Sequence, residues 1–297
     1  MKRVLIALAL LASATAARGQ TALSVEDSAV WRIDLRTRER QIVYSFTAPD
    51  PSPFTSFRCW SLAASSSGDL RCLGTPGVID IQPGAARALA PLPHDQWDSP
   101  SGLAFDANGR LWWTGGRFLQ QLDPATGAMI SEKWLLLDPG CYAHNLVARG
   151  NQLFVFTGCS ASPHARLEEI DPWTGASLSA VDLSPLSFHA PADAEFDASG
   201  DLWLSDVETP PIGTPPSACY SYWRVRLSPL SAEMTARECA AVGSGRAFLN
   251  LAAVEGPSPT EVPAVSPLGA LVFVLLLAAA AWFRLRDGRG TDGTPAP

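Results

Sequence analysis

The chain has 297 residues, of which 47% are hydrophobic and 17% charged, with a formal net charge of -7. Such a surface repels phosphate polymers and anionic lipid, and no basic stripe interleaved with aromatics offsets it, so nucleic acid is excluded as an expected partner. The 23 glycines and 25 prolines, with almost no helical periodicity between the two ends, point to one large all-β domain.

In chain order the first element is a signal peptide over 1–19. Lys2 and Arg3 precede the apolar stretch Val4 to Ala12, and Ala14-Thr15-Ala16 offers the small residues that signal peptidase requires. Cleavage after Ala16 or near Gly19 both fit, and the chain is expected to be exported.

A β domain is expected over 20–256. "TALSVED", "AVWRIDLRT" and "QIVYSFTA" read as three strands. Internal repetition follows: "SLAASSSGDLRCLG" from 61, "GLAFDANGRLWWTG" from 102, "NLVARGNQLFVFTG" from 145 and "DAEFDASGDLWLSD" from 193 each read as strand, tight turn, strand. A further strand pair follows each of them, as in "FLQQLDPATGAMISEKW", "LEEIDPWTGASLSAVDL" and "YWRVRLSPLSAEMTAREC". Spacings of 41, 43 and 48 residues between those starts match four-stranded β-propeller blades. "NLAAVEG" at 250–256 opens like the others but has no strands after it, so the three N-terminal strands are expected to complete its blade and seal the ring. That makes five blades. Six is the alternative if 48–58 or 207–219 contains further strands.

The strand-Asx-x-x-Gly-strand repeat resembles the soluble propellers of the streptogramin-lyase and regucalcin-like lactonase groups. The resemblance implies a fold more than an activity.

Blade topology assigns loops to faces. The turns at Asp106–Gly109 and Asp123–Gly127 fall on one face, the bottom; second-to-third strand loops and blade connections fall on the other, the top. Asp106, Asp123, Asp171 and Asp197 suit turn geometry, in which the carboxylate binds nearby amides, and no calcium-loop spacing accompanies them. Trp112, Trp113, Phe154, Phe156 and Trp203 alternate along second strands and are expected to pack blade against blade.

The six cysteines suit an oxidising compartment. Hairpin symmetry predicts Cys59–Cys72, Cys141–Cys159 and Cys219–Cys239, each local to one hairpin. No C-x-x-C spacing favours zinc.

His94, His144, His164 and His189 all map to top-face loops. Aligning the repeats puts Ser61, Gly102, Asn145, Asp193 and Asn250 at one position of the innermost strand, where they would line the mouth of the central channel. Asn145, Asp193 and Asn250 are the candidate ligand-binding residues, with His144, His189 and Glu195 around them. The same three could hold a divalent cation. A solvated channel that accepts only polar residues is the plainer explanation of the ring.

The C-terminus carries a proline-rich linker over 257–267, an apolar run over 268–283 and a basic tail over 284–297. Sixteen apolar residues span about 24 Å as a helix, enough for a thin membrane with help from its flanks. Arg284, Arg286 and Arg289 would then remain cytoplasmic. Val262-Pro263, Ser266-Pro267 and Gly269, followed by that run and the arginines, resemble the IPTL-CTERM sorting tail of Gram-negative bacteria. The resemblance implies an exosortase-type processing protease, removal of the helix, and delivery to the cell surface or medium, with inner-membrane anchoring before processing. A plain stop-transfer anchor is the other reading.

Two function classes follow. One is a non-catalytic exported propeller that binds an unknown surface or matrix ligand at its top face. The other is a metal-dependent enzyme of the lactonase or lyase kind. No G-x-S-x-G, H-E-x-x-H, P-loop or dinucleotide fingerprint is present, which favours the first.

Overall fold

The computed structural model describes residues 21–26, 28–35, 37, 39–47, 59–74, 77–91, 101–160, 165–186, 188, 191–208, 217–241 and 252–255. The expected signal peptide, linker and sorting motif, the apolar run and the basic tail lie outside the described residues, as do His94, His164, His189 and Asn250. No helix among the described residues is long and apolar enough to cross a membrane.

The described chain is all-β apart from one turn of 3-10 helix at Ser184–Leu186. Its strands are β1 (Thr21–Glu26), β2 (Ala29–Asp34), β3 (Arg40–Thr47), β4 (Cys59–Ala64), β5 (Leu70–Gly74), β6 (Gly77–Gln82) and β7 (Gly84–Pro91). There follow β8 (Ser101–Phe105), β9 (Leu111–Gly115), β10 (Phe118–Leu122), β11 (Met129–Trp134), β12 (Cys141–Arg149), β13 (Gln152–Cys159), β14 (Ala165–Ile170) and β15 (Ser177–Asp182). The last are β16 (Pro191–Phe196), β17 (Leu202–Glu208), β18 (Ser217–Leu227), β19 (Leu230–Ala241) and β20 (Ala252–Glu255).

These strands form antiparallel four-stranded units of propeller type. β8 to β11, β12 to β15 and β16 to β19 are separate sheets, each meandering outward in chain order. The remaining sheet joins two such units, β20-β1-β2-β3 and β4-β5-β6-β7, through a short parallel pairing of β3 with β7 at Phe46–Gly84 and Thr47–Ala85. β20 pairs antiparallel with β1, so the last described strand completes the sheet begun by the first, as expected.

Apolar clusters fill the gaps between successive units. Val30, Phe46, Leu62 and Ile79 join the first to the second, and Leu73, Leu103 and Trp113 the second to the third. Trp112, Leu146 and Val155 join the third to the fourth; Phe154, Phe156, Phe196 and Leu204 the fourth to the next. Trp203 and Tyr222 then meet Ala22, Ile33 and Leu35, which returns to the first unit. Trp112 and Trp113 serve opposite neighbours because adjacent strand residues point to opposite faces. A second strand covered on both faces therefore needs apolar residues throughout, which is why "LWWTG" and "LFVFTG" show no polar alternation.

The bottom turns are held as the sequence suggests. Asp106 Oδ1 accepts the amides of Asn108 at 2.9 Å and Arg110 at 3.0 Å, while Gly109 takes φ 74°. Its Oδ2 accepts the Trp112 indole N–H at 3.0 Å, tying the turn to the core. Asp197 repeats the arrangement with Ser199, Asp201 and Trp203. Asp123 and Asp171 close the outer turns through the amides of Ala125 and Trp173.

The outermost strands share a device that sequence reading missed. Each pairing to an outer strand slips by one residue, leaving Val43, Leu89, Ile130, Leu178 and Thr235 as the extra residues. Bulges of this kind raise the local twist of an edge and limit further strand pairing, and β3 and β7 meet each other over only two residues.

Candidate functional site

The expected disulfides form: Cys59–Cys72, Cys141–Cys159 and Cys219–Cys239. The latter two join residues directly opposite each other, whereas Cys59 lies opposite Gly74 and reaches Cys72 diagonally. Three bridges suit an oxidising compartment outside the cytoplasm, consistent with export.

Ser61, Gly102, Asn145 and Asp193 occupy equivalent places on the innermost strands β4, β8, β12 and β16. Their surroundings explain why three are polar. An innermost strand has a neighbour on one edge only, so some of its amides point into the channel unpaired. The amide after each of these positions is met by a side-chain oxygen. Asn145 Oδ1 accepts the Leu146 N–H at 2.6 Å, and Asp193 Oδ1 accepts the Ala194 N–H at 3.0 Å. Ser61 Oγ accepts the Leu103 N–H of the next unit at 3.1 Å, and Asp193 Oδ2 accepts the Leu62 N–H at 3.4 Å. Asn145 Nδ2 donates to Asp193 Oδ1 at 3.0 Å. Gly102 carries no oxygen because it has no room for one: a Cβ there would collide with Leu146 N and Asn145 Oδ1.

Asn145 and Asp193 are each only 1% exposed. The structure brings them together across 48 residues of sequence, but as a cross-linked layer within the channel. Asn250 belongs to the same repeat position and lies outside the described residues.

Just above this layer three of the innermost strands, β4, β12 and β16, bulge, while β8 does not. Pairing skips Trp60 between Cys59 and Ser61, His144 between Ala143 and Asn145, and Ala192 between Pro191 and Asp193. The extra residue in each case directly precedes the ring residue. Nothing in the three side chains signals the bulge, so sequence reading had no means of finding it. At His144 the imidazole lies over Gly158, whose missing Cβ makes the space for Nε2. Burial lowers the His144 pKa, which keeps the ring neutral near pH 7.

Glu195, two residues after Asp193, is partly buried. Its carboxyl is held well above the usual carboxylate range, first by burial and then by the nearby Asp193 charge. Among the described residues no group of three or more His, Cys, Asp or Glu side chains converges as a metal site.

A second cluster on the top face was not anticipated. Arg117, in the β9–β10 loop, places its guanidinium carbon 5.4 Å from the ring centre of Tyr142, which is 51% exposed. Arg117 Nη2 donates to the Asp138 backbone carbonyl at 3.4 Å, while the Asp138 carboxylate pairs with Arg166 at 2.5 Å.

No protein-family model matches the chain, and no curated protein matches it. Solved structures with a similar path include a protein of unknown function from Bacteroides caccae, with a TM-score of 0.42 and 16% identity over 74% of this chain and 73% of that one. The Pan2 WD40 domain of Neurospora crassa gives a TM-score of 0.39 and 14% identity over 73% of this chain and 62% of that one. A chain of a nidogen/laminin complex gives 0.44 and 12%, over 79% of this chain and 98% of that one.

Proposed function

We propose that this chain is an exported, non-catalytic propeller of five blades, sorted to the cell surface by its C-terminal tail, that binds a surface or matrix ligand on its top face. The observation that carries the reading is the division of labour along the channel. The Asn145–Asp193 layer is buried and hydrogen-bonded to protein, whereas the rim above it presents His144 and the exposed Tyr142 on a bulged, disulfide-braced strand end, with Glu195 partly buried on the other side of the layer. A rigid rim over a closed floor is a platform for recognition. His189 and Asn250 belong to the same proposed face by their repeat positions, with Asn145 and Asp193 as the floor that holds the rim.

The metal-dependent enzyme reading has less support. Asn145 Oδ1, the atom that would ligate a cation, is directed to the Leu146 amide, and both Asp193 oxygens already accept hydrogen bonds. A divalent cation there would have to displace those amides.

Two experiments test the proposal. Hydroxyl-radical footprinting of the protein on producing cells, compared with purified protein, should show Tyr142 and His144 protected on cells and the bottom-face Trp173 unchanged. Protection confined to the bottom face would locate binding elsewhere. For sorting, mass spectrometry of surface and medium fractions should find no peptide from 270–297; intact tail confined to inner-membrane fractions would make the tail a plain anchor.

A further inference from the structure

We infer that the top-face cluster of Arg117 and Tyr142 is a subsite for a carboxylated saccharide, a uronate-type sugar unit. The inference rests on the top-face binding reading above and names its ligand class.

Arg117 is a cation without a counter-charge among the described residues. The carboxylate of Asp138 is turned to Arg166, and Arg117 reaches the Asp138 main-chain carbonyl through one long bond. A guanidinium offers five N–H donors, so most of its capacity faces outward. On a chain of net charge -7 such a group stands out against its surroundings. Its fork matches a carboxylate in two parallel hydrogen bonds.

The aromatic surface beside it is exposed and held in place. Tyr142 follows Cys141, whose disulfide to Cys159 fixes the end of the hairpin. Ala143 N donates to Gly116 O at 2.7 Å, which ties the loop carrying Arg117 to the strand carrying Tyr142. Phe118, the next residue in the chain, packs edge-on against Trp134, itself 53% exposed. One half-exposed ring lies against a guanidinium that has no counter-charge among the described residues, and the backbone beneath is preorganised.

That combination selects among anions. Phosphate polymers carry charge too densely for an acidic protein to hold through one arginine. An extended acidic peptide would add to a sheet edge, and the outer edges here are bulged. A uronate sugar brings a single carboxylate per ring and an apolar C–H face that an exposed aromatic ring can cover.

The test is calorimetry on the purified full-length protein with short oligomers of galacturonic acid, the same oligomers with carboxyls reduced to alcohols, and oligoglutamate of equal charge. The uronate oligomer should bind, and the reduced oligomer at least tenfold more weakly. Arg117→Ala and Tyr142→Ala should each lose tenfold or more, while Arg117→Lys retains part of the affinity because it keeps the charge and loses the fork. Unchanged circular dichroism and thermal midpoint identify the variants as folded; if Arg117→Ala does not fold, Arg117→Gln replaces it. No binding of the uronate oligomer, or affinity unchanged in a folded arginine variant, overturns the inference. Oligoglutamate binding as tightly as uronate would also overturn it and assign the site to acidic peptide. Footprint protection of Tyr142 on cells without uronate binding would leave the top-face reading standing and remove only the ligand class.

Discussion

Replacing Asp193 separates a structural layer from a solvated channel lining. Its Oδ1 accepts from Asn145 Nδ2 and Ala194 N, each at 3.0 Å, and Oδ2 accepts from Leu62 N at 3.4 Å. Asp193→Ala leaves these donors without their acceptor at a position that is 1% exposed. A stranded buried donor costs about 1–3 kcal/mol. Counting the two shorter bonds fully and the long one lightly, and subtracting the relief of no longer burying a carboxylate, the net loss is about 3 kcal/mol. Asp193→Asn keeps one acceptor but sets an NH2 against the Leu62 amide, so it should lose about 1–2 kcal/mol. Urea unfolding at neutral pH with disulfides intact should show both midpoints falling in that order at nearly constant slope. In a thermal scan the alanine variant should melt roughly 6–12 °C lower for a domain of this size. If both variants stay within about 0.5 kcal/mol of the parent, water satisfies the innermost edges and the polar ring has no structural role.

Three further outcomes follow from particular contacts. Gly102→Ala should destabilise by about 3 kcal/mol or more, because the new methyl meets Leu146 backbone nitrogen rather than a movable side chain, whereas Gly109→Ala, a positive-φ turn position with open space around it, should lose only about 1 kcal/mol; equal losses in denaturant melts would contradict the close approach of β8 and β12. Glu195 has a raised folded pKa, so its contribution is fully present below the unfolded carboxylate pKa, about 4.3, and is lost as pH rises through the folded value. Glu195→Gln should therefore gain stability at pH 8 relative to the parent and flatten that part of the stability–pH curve, and an unchanged curve would mean the carboxyl is solvated. His144, with its lowered pKa, contributes stability above about pH 6.5 that is lost on acidification; titration of its ring protons by NMR with a midpoint at or above 6.5 would refute its burial over Gly158.

The units, their order and the joining of chain ends were legible in the sequence because each depends on local signals repeated in series. Asp106, Gly109 and Trp112 lie within one turn and its following strand, and Asp197, Gly200 and Trp203 repeat them, so the repeat is visible without knowing any distance. The disulfides were legible for the same reason, since each joins two cysteines of one hairpin, directly opposite in Cys141–Cys159 and Cys219–Cys239 and diagonal in Cys59–Cys72. The role of the polar ring was not. Alignment shows an oxygen-bearing residue at Ser61, Asn145 and Asp193, but the partners of those oxygens lie on other units. Leu103 is 42 residues from Ser61 and Leu62 is 131 from Asp193, and only the closing of the ring brings them within reach. The bulges were hidden more deeply. Trp60, His144 and Ala192 share no chemistry, since what places them is the need to offset the strand above the ring residue. The same oxygen can ligate a cation, face water or accept an edge amide, and residue type alone does not separate these. Burial does: a carboxylate that is 1% exposed and accepts hydrogen bonds from Asn145, Ala194 and Leu62 is an internal support.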